Sequence, residues 1–404
     1  MGVIPRLGAV KDIPYWRLSG FYFFYFATLG VVVPYFGAYL SERGFSALEI
    51  GKLFAILNIT KIIAPFIWGW VADTFGNRVR IIQLASLMAF IIFSCITFTS
   101  SFAWMALITF GYSFFWNAAL PQFEVVTLNH LGKDTNSYSQ IRLWGSWGFI
   151  ITVIGIGFAV EHYQLSFLPY IGLAGYALIF FNSLFITENG NKEEKQAFNG
   201  TIKNTLLNKN VILFFIVGLL LQASHGPFYA FFTIFLRENG HATDHIGELW
   251  AIGVVAEIMI FLMIHRMIPY FGARKLMLLA LAAAVLRWWM TGAFASSMAI
   301  IALSQLLHAG TFGIFHAIAM KLIHSFFPGK YQGRGQALYT AICMGAGVAL
   351  GNYFSGLLWN KIGGEGVFFL ASGTALVAFI ITLLFLLDLP DDREDDSELA
   401  IEEC

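Results

Sequence analysis

Long apolar stretches alternate with short polar breaks along nearly the whole chain. A helix needs about 20 apolar residues to cross roughly 30 Å of hydrocarbon. Runs at 15–40, 47–73, 79–100, 102–128, 138–160, 166–186, 209–236, 245–268, 274–294, 297–325, 333–360 and 364–388 meet that length. The pattern predicts an all-α polytopic membrane protein with twelve transmembrane helices. Several runs exceed the minimum, so tilted or projecting helices are expected.

The polar breaks set the expected orientation. With both termini cytoplasmic, seventeen of the 24 Lys and Arg residues fall inside and only Arg43, Arg237 and Lys361 outside, as the positive-inside rule requires. The stretch TENGNKEEKQAFNGTIKNTLLN (187–208) is polar and lacks apolar periodicity, so it reads as a cytoplasmic linker. It separates a six-helix bundle at 1–186 from another at 209–388. Residues 389–404 form an acidic tail, expected to be cytoplasmic and solvated.

Composition agrees: 58% of the 404 residues are hydrophobic, 12% are charged, and the formal net charge is zero. Such a balance argues against a nucleic-acid partner. Cys95, Cys343 and Cys404 lie far apart, and no disulfide is expected. The N-terminal residues lack a short apolar region followed by a small-residue cleavage site, so the first helix is expected to remain.

The two halves repeat. LSERGFSALEIGKLFAI (40–56) aligns with LRENGHATDHIGELWAI (236–252) at a shift of 196, which also matches Gly76 to Gly272 and Arg78 to Arg274. A repeat of this kind implies two parallel bundles with a ligand site between them near the midplane. The same shift places Lys61 opposite Glu257. Charged groups in a span are costly and are expected to face protein or water with a partner, so the two are expected to attract one another across a common cavity.

Other polar residues recur at helical spacing. His308 and His316 share a helix face, as do Gln305 with His308 and Gln222 with His225. No carboxylate or cysteine accompanies these histidines at ligand spacing, so no metal site is expected. No nucleophile elbow or P-loop points to an enzyme. Aromatic residues crowd the first span (Phe21 to Phe26), the seventh (Phe228, Tyr229, Phe231, Phe232) and the ninth (Trp288, Trp289). Most are expected to face lipid or the interface, with a minority lining the cavity.

The turn GWVADTFGNR (Gly69 to Arg78) resembles the cytoplasmic loop signature of the major facilitator superfamily. Its second-half counterpart HRMIPYFGARK lacks the aspartate. The stretches PQFEVVTL (121–128), QIRLWGSWGF (140–149), HGPFYAFF (225–232), LWAIGVVAEIMIF (249–261), QLLHAGTFGIFHAIAMKLI (305–323) and QGRGQALYTAI (332–342) narrow the likeness. Together they resemble the 3-phenylpropionic acid transporter family, proton-coupled permeases related to lactose permease. That resemblance implies a proton symporter of the bacterial inner membrane, acting by alternating access, with no cofactor beyond the coupling proton. Its implied partners are a small organic acid, protons and the lipid bilayer, and its implied state is a monomer.

The resemblance also suggests roles. Lys61, Glu124, Arg142, Gln222 and His225 are expected to bind substrate, with Glu124 and Arg142 pairing across a short hairpin either as ligand contacts or as a helix tether. Glu257, Arg287, His308 and His316 are expected to handle the proton. Lactose permease has an acid one turn after its histidine, where this chain has Thr311, which shifts the proton site to Glu257. Asp73 and Arg78 are expected to latch a gate by reaching across the bundle. A sugar or nucleoside symporter is the alternative reading; an exporter or a non-transporting sensor fits less well.

Overall fold

The computed structural model describes residues 13–132, 136–188 and 203–386, and their regular structure is entirely helical. Most of the expected 187–208 linker, the 389–404 tail and Cys404 lie outside those residues. The spans are α1 (Tyr15–Glu42), α2 (Ala47–Phe75), α3 (Arg78–Phe98), α4 (Phe102–Leu131), α5 (Asn136–Tyr163), α6 (Leu165–Ser183), α7 (Lys209–Glu238), α8 (Thr243–Phe271), α9 (Ala273–Ala293), α10 (Met298–Phe326), α11 (332–362) and α12 (364–385). Helix α4 is 30 residues long and carries Asn117, Gln122 and Glu124. The boundary of α11 and α12 is Gly363, at φ 72° and ψ 168°, a conformation that glycine tolerates and other residues rarely adopt.

Helix ends follow local chemistry. Helix α2 starts with a capping box, in which Ser46 Oγ accepts from the Glu49 amide and Glu49 accepts from the Ser46 amide. It stops at Gly76, in the left-handed region at φ 72°, the usual glycine termination. Helix α7 is interrupted at His225, followed by Gly226 and Pro227. A Cβ on Gly226 would lie 2.1 Å from the Gly351 carbonyl carbon, so glycine is what lets the break pack against α11.

Two helices are central: 67% of the apolar window is buried in each of α1 and α7, against 33–50% in the other segments long and apolar enough to cross. This corrects the expectation for the aromatic residues. Phe21, Tyr22, Tyr25, Phe228, Phe231, Phe232 and Trp288 are buried in protein, while Trp289 is exposed. A helix surrounded by other helices has little lipid-facing surface, so ring-rich spans signal a bundle centre here.

The internal repeat appears in the backbone. Gly44 and Gly240 both have φ 84°. The halves meet at the end carrying these turns, opposite the termini, through contacts that mirror one another. A Cβ on Gly51 would lie 2.6 Å from the Asn352 carbonyl oxygen, and one on Gly247 would lie 2.4 Å from that of Val153. Gly356 packs on Ala47 as Gly157 packs on Thr243. Between α1 and α7, Thr233 Oγ1 donates to Pro34 O at 2.5 Å, and Gly37 abuts Ala230 O. Arg237 and Glu42 pair at 2.8 Å.

One junction breaks the symmetry. Ala242, which matches Ser46, offers no side-chain cap to α8. The amide of Thr243 donates instead to Glu161 Oε2, on α5 of the other half, at 2.7 Å.

Helices α2 and α8 are largely buried through Thr60 and Gly253, and beyond them only Ala64, Ala72 and Ile264 are buried, the rest being half-buried or exposed. The bundle is therefore shut at the end opposite the termini and parted at the other. Adding a methyl group at Gly247 should open the shut end, because the obstructing atom is backbone and cannot swing away. Overpacking costs about 1–3 kcal/mol, a population shift of roughly five- to 150-fold. Spin-label distances across that end should lengthen in Gly247→Ala and, by symmetry, in Gly51→Ala.

Candidate functional site

Between the halves lies a cavity of about 310 Å³. One wall carries Lys61 from α2 and Arg142 from α5; the other carries Glu257 from α8 and His308 from α10. Phe26, Phe149, Phe228, Tyr229, Trp250 and Phe312 surround these groups. Glu257 is the one carboxylate lining the cavity among the described residues.

Lys61 is held by its own helix. Its Nζ donates to Asn58 Oδ1 at 2.9 Å, while Asn58 Nδ2 donates to Phe54 O at 2.8 Å. The amide is thus turned so that its oxygen can only meet the ammonium. Arg142 lies over the Phe26 ring, 3.9 Å from its centroid, and 5.5 Å from that of Tyr22. Cation–π contact holds a guanidinium in place without neutralising it.

The opposite wall is a hydrogen-bond relay centred on Arg287, which is fully buried behind the cavity. Its guanidinium donates to His308 Nδ1 at 2.9 Å, Thr311 Oγ1 at 3.1 Å and Gln305 Oε1 at 2.9 Å. Phe228 and Trp288 lie 4.3 and 4.4 Å from its carbon. Because His308 Nδ1 accepts, a neutral ring carries its proton on Nε2, which faces Glu257 Oε2 at 3.4 Å. His225 has the other tautomer: its Nδ1 lies 2.8 Å from Leu221 O and must donate, leaving Nε2 to accept from Thr311 at 3.3 Å. Both histidines are satisfied as neutral rings. The Glu257 carboxyl ends this relay at the cavity wall.

The structure corrects several expectations. Lys61 and Glu257 line one cavity but do not pair, because Asn58 takes the ammonium and His308 takes the carboxylate. Glu124 does not line the cavity. Arg142 acts on it electrostatically, with no ion pair between the two among the described residues, because the guanidinium is drawn over Phe26. His225 is fully buried at the α7 break, off the cavity wall, in contact with Leu221 and Thr311. His316 lies beyond Phe312 in a stacked ladder from His308, with centroid spacings of 5.6 and 5.7 Å, and stays off the cavity wall.

The Asp73 and Arg78 pair forms at 3.0 Å. Arg78 also donates to Gln122 on α4, so its recorded bonds stay within the first half. In the second half Arg274, lacking an aspartate, donates to Leu386 O and Leu383 O beside the end of α12. Asn58 and Thr311 went unassigned or were set aside in the sequence. Each had a signal: Asn58 precedes Lys61 by one turn, and Thr311 follows His308 by one turn.

A model of the MFS_1 like family matches residues 15–371. The chain belongs to this family. The MFS_1 like chain is 26% identical over 375 residues to a "Probable 3-phenylpropionic acid transporter" of Escherichia coli (strain K12), covering 91% of this chain and 96% of that one. It is 23% identical over 372 residues to a maltose permease of Geobacillus stearothermophilus, covering 90% and 92%. The crystal structure of the nucleoside transporter NupG has a TM-score of 0.83 at 19% identity, covering 93% of this chain and 99% of that chain. Fold and family together make this MFS_1 like protein a multi-pass membrane transporter of the major facilitator type.

Proposed function

We propose that the protein takes up a small aryl-carboxylic acid, of the 3-phenylpropionate kind, together with a proton by alternating access. The observation that carries this reading is the charge on the cavity wall. Two cations, Lys61 and Arg142, face a single carboxylate, Glu257, among aromatic rings. When an organic anion enters as Glu257 takes a proton, the net charge of the cavity is unchanged. If either loads alone, the low-dielectric site gains or loses a full charge, which is costly. Co-loading is thus favoured without any direct contact between Lys61 and Glu257. The aromatic walls supply an apolar slot for the ring, and the likeness to a probable 3-phenylpropionic acid transporter supports the same class.

With the termini cytoplasmic, the parted end faces the cytoplasm and the described arrangement is the inward-open one. The second reading, a sugar or nucleoside symporter, draws on the likeness to maltose permease and NupG. Proteoliposomes separate the two. Addition of 3-phenylpropionate should alkalinise the medium, whereas maltose and a nucleoside should not. Proton movement with maltose or the nucleoside alone would overturn the aryl-acid reading.

A further inference from the structure

Two buried polar atoms on cavity-lining residues stand outside the charge scheme without a hydrogen-bond partner, Gln222 Oε1 and Trp250 Nε1. Gln222, on α7 one turn before the break, is 1% exposed and lines the cavity, yet its Oε1 has no hydrogen-bond partner. Leaving a buried carbonyl unpaired is unfavourable; Asn352 on α11 is likewise unpaired, whereas two other amides at the site are paired. Asn58, the other amide on the cavity wall, bonds through both ends, to Lys61 and to Phe54. Gln305, behind the wall, gives its Oε1 to Arg287.

Gln222 is also held in place. A Cβ on Gly347 would lie 2.7 Å from Leu219 O and 3.1 Å from Gln222 Cβ, so α7 is pressed on α11 with no space to withdraw. The orphan atom thus belongs to a fixed part of the second half, while the cations that would hold a carboxylate belong to the first.

We infer that Gln222 is a specificity residue that reads a hydroxyl on the substrate's ring, so that the preferred substrate is a hydroxylated aryl-carboxylic acid bridging the two halves. This rests on the aryl-acid reading above and deepens it. A hydroxyl fits because it donates and accepts, and so serves the amide whichever way it is turned. The ligand then ties Lys61 and Arg142 on one half to Gln222 on the other, and its length sets the spacing between them.

Binding of 3-phenylpropionate and its three ring-hydroxylated isomers to the full-length protein, by titration calorimetry in detergent, tests this. At least one isomer should bind about tenfold more tightly than the parent acid, the size expected for one buried hydrogen bond. Gln222→Leu and Gln222→Ala should erase that preference, bringing the ratio of hydroxylated to parent acid affinity to about one, with thermal melts matching the wild type showing that each is folded. Equal binding of all four acids by the wild type, or a preference that survives both substitutions, overturns the inference and leaves the aryl-acid reading standing. If no aryl acid binds, both fall together.

Discussion

Glu257→Gln is expected to reduce uptake driven by a pH gradient to the level of empty vesicles, while exchange of labelled for unlabelled acid across the membrane continues. The amide imitates the protonated carboxyl in shape and charge but cannot release a proton. It can still accept from the Nε2 proton of His308, which faces the carboxylate at 3.4 Å, so the relay from Arg287 keeps its geometry. Exchange requires only that the loaded carrier reorient in both directions. Net uptake also requires the empty carrier to return, and in the variant it would return with both cations unbalanced. Uptake that still follows the pH gradient in Glu257→Gln would show that the proton is carried elsewhere, and the constant-charge argument would fail with it.

Lys61→Gln should weaken binding of the organic anion by roughly ten- to a hundredfold, the range expected for a hydrogen bond to a charged group. An uncharged alcohol of the same length and ring should bind equally to wild type and variant. Calorimetry on that pair of ligands measures both effects. Arg142 remains in the variant, but it is seated over Phe26, whereas the lysine is a flexible point charge on a single Asn58 contact. An equal loss for acid and alcohol would mean that Lys61 shapes the cavity rather than recognising charge.

Much of this architecture was legible in the chain. Apolar run length located the spans, and the 196-residue shift anticipated both the matched Gly44 and Gly240 turns and the mirrored glycine contacts at the shut end. The residues of the cavity were partly legible too: Lys61, Arg142, Gln222, Glu257 and His308 line it. Pairing was not. A shift that aligns Lys61 with Glu257 says that they occupy related positions in two bundles, and nothing about the distance between them. Each is claimed by a closer neighbour, Asn58 within a helical turn and His308 from an adjacent helix. Glu124 and Arg142 failed as a pair for a similar reason, since spacing along a hairpin does not reveal a ring such as Phe26 lying nearer the guanidinium. The aromatic residues misled because composition cannot distinguish a lipid-facing helix from a central one, and α1 and α7 are central.

The junction of Glu161 with the Thr243 amide bears on how the two halves part. Helix α2 carries its own start in Ser46 and Glu49, so its first turn is equally well formed whether the gate is shut or open. Helix α8 borrows its start from the opposite half, and a carboxylate at a helix N-terminus also meets the positive end of the helix dipole. When the halves separate, that borrowed anchor leaves and the leading turn of α8 is free to unwind. The two sides of the gate are therefore anchored differently, one by its own chain and the other by the opposite half. A fold that is nearly symmetric thus has unlike starts to its two gate helices.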